Sequence, residues 1–235
     1  LCYNNEKGDD MPIIGIVARP SDKDKEKNNY VCENLRIAVI KSGGTPLAIL
    51  STDERVYELD NYLKGGLNKE SKKKLDKVLS ICDGIIFQGG SKFYPCDKYI
   101  AKYVIKNDVP TLGICLGMQL LNHVDNQEKS TLIKIDDHLD NKKYVHKIKI
   151  VKNTLLSDIL NIDEMKVNSR HRLSIVKLNK FKICATSPDN IIESIYYPGK
   201  RFILGVQFHP EDMYFYDEFA KLIFERFIKE CNNDR

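Results

Sequence analysis

Residues 109–119 read Val-Pro-Thr-Leu-Gly-Ile-Cys-Leu-Gly-Met-Gln, and the change of character along this stretch decides the fold. Val109 to Ile114 is a short apolar run, the pattern of a strand buried on both faces of a parallel sheet. From Leu116 the apolar residues recur with Leu120 and Leu121 at helical spacing. A buried strand that turns at once into a helix is half of a βα unit, and Cys115 sits on the turn. Gly113 and Gly117 flank it, and their lack of side chains lets neighbouring segments approach a crowded elbow while the thiol projects outward.

Reading outward from this elbow gives the same unit repeatedly. Pro12 to Ala18 (PIIGIVA) is a second buried strand. Val31, Leu35, Ala38 and Val39 follow at helical spacing, Gly43 and Gly44 stop that helix, and Thr45 to Leu50 is the next strand. The polar, lysine-rich stretch from Asp53 to Lys77 predicts surface helices, with weak apolar periodicity at Val56, Leu59 and Leu63 and again at Leu75, Val78 and Leu79. Asp83 to Gln88 (DGIIFQ) is a further buried strand and ends in Gly89-Gly90. This alternation predicts an α/β fold of the flavodoxin-like kind: an open, mostly parallel sheet with helices on both faces. Its ligand crevice should lie beyond the carboxyl ends of the strands.

After about residue 140 the pattern becomes one of short antiparallel strands, at Tyr144 to Val151, Leu173 to Leu178, Phe181 to Thr186, Ile191 to Tyr197 and Arg201 to Phe208. Tyr197-Pro198-Gly199-Lys200 has the residues of a tight turn, with Pro and Gly at its centre. An amphipathic helix over Tyr214 to Ile228, with Phe215, Phe219, Leu222, Ile223 and Phe227 on one side, should pack on the sheet. Residues 1–10 read as a flexible lead-in and residues 11–235 as a single domain.

Composition narrows the function classes. The formal charge of +4 over 235 residues is small, and the basic cluster from Lys69 to Lys77 contains Glu70 and Asp76 without aromatics, so it reads as a solvated helix face and not a nucleic-acid surface. The seven cysteines have neither the framework of a disulfide-stapled protein nor CxxC spacing, which suggests a reducing, cytoplasmic setting. No apolar run is long enough for a membrane span. His123, His138 and His146 have no spacing that suggests a metal site.

A cysteine between apolar residues is ordinarily a small core hydrophobe. The elbow changes that reading for Cys115, because the positive end of a helix favours the thiolate form. A thiolate nucleophile needs a base, and the base an orienting group. His209-Pro210-Glu211 offers both at the end of another strand, with Glu211 placed two residues on to face the imidazole if the chain stays extended.

With these motifs in view, GICLGMQ, GVQFHPE and IIFQGG, in this order, resemble the class I glutamine amidotransferase superfamily. Val167-Asn168-Ser169-Arg170-His171, PIIGIVAR and Gly43-Gly44-Thr45-Pro46 are most similar to its peptidase C26 branch, the γ-glutamyl-γ-aminobutyrate hydrolases. The resemblance implies a Cys115, His209 and Glu211 triad that cleaves a γ-glutamyl amide bond through a thioester. It further implies an oxyanion hole from the backbone N–H groups of Gly90 and Leu116, with substrate contacts from Gln119, Asn168, Ser169, Arg170 and His171. No cofactor or metal is called for. The partners open to such a protein are a small γ-glutamyl substrate or glutamine, a second copy of the chain, or a synthase supplied with ammonia. A non-catalytic binding domain is the rival reading, and the intact triad argues against it. Arg172, where the branch has a neutral residue, offers a fixed cation for an acidic substrate group.

Overall fold

A computed structural model describes residues 11–21, 27–57 and 65–232. The expected lead-in, together with Leu59 and Leu63 of the expected surface helices, lies outside the described residues. The central sheet contains β1 (Ile13–Val17), β2 (Thr45–Ile49), β3 (Gly84–Phe87), β4 (Thr111–Ile114), β5 (His146–Ile150), β6 (Glu164–Val167), β7 (Lys182–Thr186), β8 (Ile192–Tyr196) and β9 (Ile203–Val206). Their order is β6-β5-β7-β8-β9-β4-β3-β1-β2. The five strands from β9 to β2 are parallel to one another, and the remaining pairings are antiparallel. The parallel half therefore has the flavodoxin-like order, and the antiparallel strands extend it from β9.

Side chains along the parallel strands alternate between two cores. Ile14, Ile16, Ile86, Leu112 and Leu204 pack on one face with α1 (Glu33–Lys41), α5 (Leu155–Leu160) and α7 (Glu218–Cys231). Val17, Ile85, Phe87 and Ile203 point to the other, against α2 (Lys69–Leu79), α3 (Pro95–Asn107) and α4 (Leu116–Asp125). Burial on both faces is why these strands read as unbroken apolar runs. Phe87 and Phe227, both fully buried, each contribute roughly 1.5–3 kcal/mol by leaving water.

Local chemistry sets the helix ends. The Asn68 side chain accepts the Ser71 N–H at 2.8 Å to start α2, and Asp97 accepts the Tyr94 N–H at 2.9 Å to start α3 behind Pro95. At Tyr197–Lys200, Gly199 takes the left-handed φ of 76° that the turn requires.

Three expectations change. Leu173–Ile175 pairs with Leu132–Lys134 in a separate two-stranded ladder, and the strand stops because the Lys177 carbonyl is taken by the Asn122 side chain of α4 at 2.9 Å. The C-terminal helix does not run from Tyr214: a short α6 (Pro210–Met213) precedes a break, and α7 restarts where Asp217 accepts the Ala220 N–H at 3.0 Å. That break leaves Phe215 outside the helix and about half exposed. Between the expected strands at Tyr144 and Leu173, α5 and β6 were not anticipated. Among the described residues no helix is long and apolar enough to cross a membrane.

Candidate active site

Parallel register brings the three chemical motifs together. Phe87 of β3 lies beside Gly113 of β4, and Ile114 of β4 beside Val206 of β9. The residues that follow these strands, Gly89-Gly90, Cys115 and His209, consequently emerge at one edge of the sheet.

Cys115 joins β4 to α4 with φ 51° and ψ −104°, a conformation that costs a side-chain-bearing residue on the order of 1–3 kcal/mol. The surroundings hold it there. Its N–H donates to the Val206 carbonyl at 2.7 Å, and its carbonyl accepts the Gln119 N–H at 3.2 Å. The flanking glycines permit the packing: a Cβ on Gly117 would lie 2.3 Å from the Phe87 carbonyl oxygen, and one on Gly113 would lie 2.8 Å from the Gly117 carbonyl carbon.

His209 follows β9 and is clamped by Asn168, whose Oδ1 accepts the His209 N–H at 2.8 Å and whose Nδ2 donates to the His209 carbonyl at 2.9 Å. Its Nδ1 lies 2.7 Å from Oε1 of Glu211, which is buried. The sequence reading reached this contact through an extended chain. In the structure it is made across α6, where a helical turn, started by Pro210, brings the carboxylate back to the ring. Burial works to lower the His209 pKa, but the Glu211 charge and the nearby Cys115 sulfur outweigh it and hold the imidazole well above its ordinary value.

The other expected residues divide by what they touch. Gly90 packs on Leu116, since a Cβ on Gly90 would lie 3.1 Å from Leu116 Cδ2. Gln119 donates to Gln207 Oε1 at 3.0 Å and to the Leu173 carbonyl at 3.2 Å. Ser169 donates to the His138 carbonyl at 2.7 Å. The His171 ring meets His138 at 3.2 Å and the Leu173 carbonyl at 3.1 Å, while the Arg170 guanidinium is bonded to Asp212. Arg172 is exposed at the rim of a cleft of about 320 Å³ shared with Lys134, Asp137 and His171.

Sequence reasoning missed three neighbours. Gln207 Nε2 lies 3.5 Å from the Cys115 sulfur, and its place inside GVQFHPE was the available signal. Gly89 was passed over for Gly90, although a Cβ there would lie 2.8 Å from His209 Cε1. Arg19, buried and paired with Asp97, donates to the Gln88 carbonyl at 3.2 Å and so holds the peptide leading into the double glycine. Its place at the end of PIIGIVAR was the available signal.

Residues 95–211 match the family model Peptidase C26. A glutamine amidotransferase-like protein of Rickettsia prowazekii is 27% identical, over 86% of this chain and 92% of its own. The CTP synthase of Staphylococcus haemolyticus is 30% identical over 58% of this chain, and the chain spans 32% of that protein's length. The glutaminase domain of Trypanosoma brucei CTP synthase, solved with bound acivicin, superposes with a TM-score of 0.66 at 17% identity over 94% of both chains, a likeness of fold. With the motifs at the expected strand ends, these likenesses support the class I glutamine amidotransferase-like superfamily.

Proposed function

We propose that the protein hydrolyses a γ-glutamyl amide bond through a thioester on Cys115, with His209 as acid and base and Glu211 as its orienting carboxylate. The Cys115 sulfur adds to the γ-carbonyl carbon, and the N–H groups of Gly90 and Leu116 hold the oxyanion. Collapse breaks the C–N bond as His209 protonates the leaving amine. Water then gives a proton to His209, attacks the thioester and releases glutamate. Asn168 holds the His209 backbone, and Gln119 holds Gln207 against the sulfur. Ser169, Arg170 and His171 bear on substrate through the wall that they build.

The observation that carries this reading is the joint placement of a positive-φ cysteine at a helix start and a partly buried imidazole braced at 2.7 Å by a buried carboxylate. Residues 11–235 are read as one domain because one sheet runs from residue 13 to residue 206. Free cysteines at all six described positions support a reducing, cytoplasmic setting.

The test is glutamate release from glutamine and from a panel of γ-glutamyl amides, with Cys115→Ser as the blank. Release from the panel that is absent in the blank is the expected result, and equal release in the blank would end the proposal. The CTP synthase relatives favour a second reading, a glutaminase that passes ammonia to a synthase. Turnover restricted to glutamine, and appearing only with a synthase partner, would select it.

A further inference from the structure

We propose that His138 Nδ1, His146 Nε2, His171 Nε2 and Glu193 Oε1 form a closed site for a divalent metal ion of the zinc class, tying the segment of Asn168 and Ser169 to the central sheet. Glu193 stands on β8 with no exposed surface. Three imidazole nitrogens converge on its Oε1: His146 Nε2 at 3.2 Å, His138 Nδ1 at 3.4 Å and His171 Nε2 at 3.5 Å. None of these contacts has hydrogen-bond geometry, and both Glu193 oxygens and His146 Nε2 are buried without a hydrogen bond. A buried carboxylate in that state needs a cation.

The tautomers sharpen the point. His138 Nε2 faces the Asp189 carboxylate at 2.9 Å, and His171 Nδ1 faces the Leu173 carbonyl at 3.1 Å. Both partners only accept hydrogen bonds, so those nitrogens carry the protons. The lone pairs left are then His138 Nδ1, which has the Ser169 hydroxyl at 3.5 Å, and His171 Nε2, and they face each other at 3.2 Å beside the carboxylate. Lone pairs so placed repel unless a positive centre lies between them.

Size and outer contacts fit a metal. Bonds of about 2.0–2.1 Å in a tetrahedron place neighbouring ligand atoms roughly 3.3–3.4 Å apart, a spacing that falls within the 3.2 to 3.5 Å separating the three imidazole nitrogens from Glu193 Oε1. His138, His146 and Glu193 already offer atoms within 4.8 Å of one another. A carboxylate or a carbonyl behind each of two ligand imidazoles is the usual support of a metal-bound histidine, and a divalent ion would neutralise Glu193 and Asp189 together. Donor identity favours zinc, with cobalt(II) as a spectroscopic substitute. His123, which stacks on Phe93 at 5.1 Å, takes no part.

Structurally, the ion would join β5 and β8 to the strand segment Ser169–Arg170, directly after the Asn168 clamp on His209. It would brace the wall of the candidate active site without touching Cys115.

The experiment uses the full chain, purified without chelator, then stripped and given zinc chloride or cobalt chloride alone. The expected result is one zinc per chain by elemental analysis, a rise in melting temperature on zinc addition, and cobalt d–d bands typical of tetrahedral nitrogen and oxygen ligands without sulfur charge transfer. His146→Asn and His138→Ala should each lose the metal and the temperature shift, while Cys115→Ala should keep both. His146 is the most exposed of the four ligands, so its replacement is the variant best tolerated by the fold. No zinc above the level of the His146→Asn chain, and no thermal shift, would overturn the site and leave a proton holding the cluster. Zinc lost in Cys115→Ala, or cobalt bands with sulfur charge transfer, would place the metal at the active site and equally overturn it.

Discussion

Glu211→Gln separates orientation from charge at the base. Glu211 Oε2 makes no hydrogen bond, so the carboxylate acts on His209 through the 2.7 Å Oε1 contact alone. A glutamine keeps an oxygen there and preserves the tautomer, but it removes the charge that stabilises the imidazolium. Breaking a buried pair by removing one charge costs about 3–5 kcal/mol. With about 3–4 kcal/mol of that felt in the transition state, at 1.36 kcal/mol per decade, kcat/KM should fall roughly 10²- to 10³-fold. His209→Ala, lacking the proton carrier, should fall to the blank. The pH profile supplies a second reading. The folded His209 pKa is raised, so the imidazolium is fully present below the ordinary histidine pKa and is lost as pH rises through the folded value. Removing Glu211 lowers that folded value, and the alkaline limb of kcat/KM should move to lower pH. Glutamate release measured across pH decides it. Unchanged kcat/KM with an unmoved alkaline limb, or near-wild-type rates in both variants, would refute the triad as drawn.

Substoichiometric iodoacetamide should label Cys115 first, because burial pushes the Cys82 and Cys184 thiols up to about 11 and raises Cys231 further still; preferential labelling elsewhere, read by peptide mapping, contradicts this. Arg172→Ala should raise KM for γ-glutamyl substrates with an acidic amine portion and leave neutral ones unchanged, and an unaltered substrate preference would remove Arg172 from recognition. Gly117→Ala places a Cβ 2.3 Å from the Phe87 carbonyl oxygen, overpacking of the kind that costs about 1–3 kcal/mol or more; an unchanged urea midpoint would show that the elbow has slack. Lys102, followed by Lys98, holds the Glu128 carboxyl down to about 2, so its stabilisation is present above the ordinary value of 4.5 and lost as pH falls towards about 2. Glu128→Gln should therefore cost under about 1 kcal/mol at pH 7 for this partly exposed pair, and a stability difference that persists at pH 2 would count against the ion pair.

The parallel half of the molecule was legible because its information is local. A strand buried on both faces must be apolar throughout, so the runs around Ile14, Ile86 and Leu112 announced themselves, and the glycines at 113 and 117 marked an elbow that only side-chain-free residues can pack. Each motif also lies directly after a strand. Once a parallel sheet was inferred, Cys115 and Gly90 had to share an edge; His209 joins them because its strand, expected among the antiparallel set, pairs parallel to β4.

Where local pattern competed with tertiary partners, the sequence misled. Phe215 fits the apolar stripe of the C-terminal helix, yet Asp217 restarts the helix beyond it because a cap competes directly for the backbone donors. Leu173 to Leu178 has the composition of a sheet strand, but the Asn122 side chain takes the Lys177 carbonyl and ends the ladder. Glu211 reaches His209, as expected, through a helical turn set by Pro210 and not through extended chain. The gathering of His138, His146 and His171 around Glu193 was invisible for a different reason. Those residues come from separate segments, and their meeting depends on the antiparallel pairings of β5 and β8 and on a two-residue ladder that carries Ser169. Sequence determined what each strand and its following turn could do; only the tertiary structure decided which distant side chains would share a buried volume, because that depends on register between strands far apart in the chain.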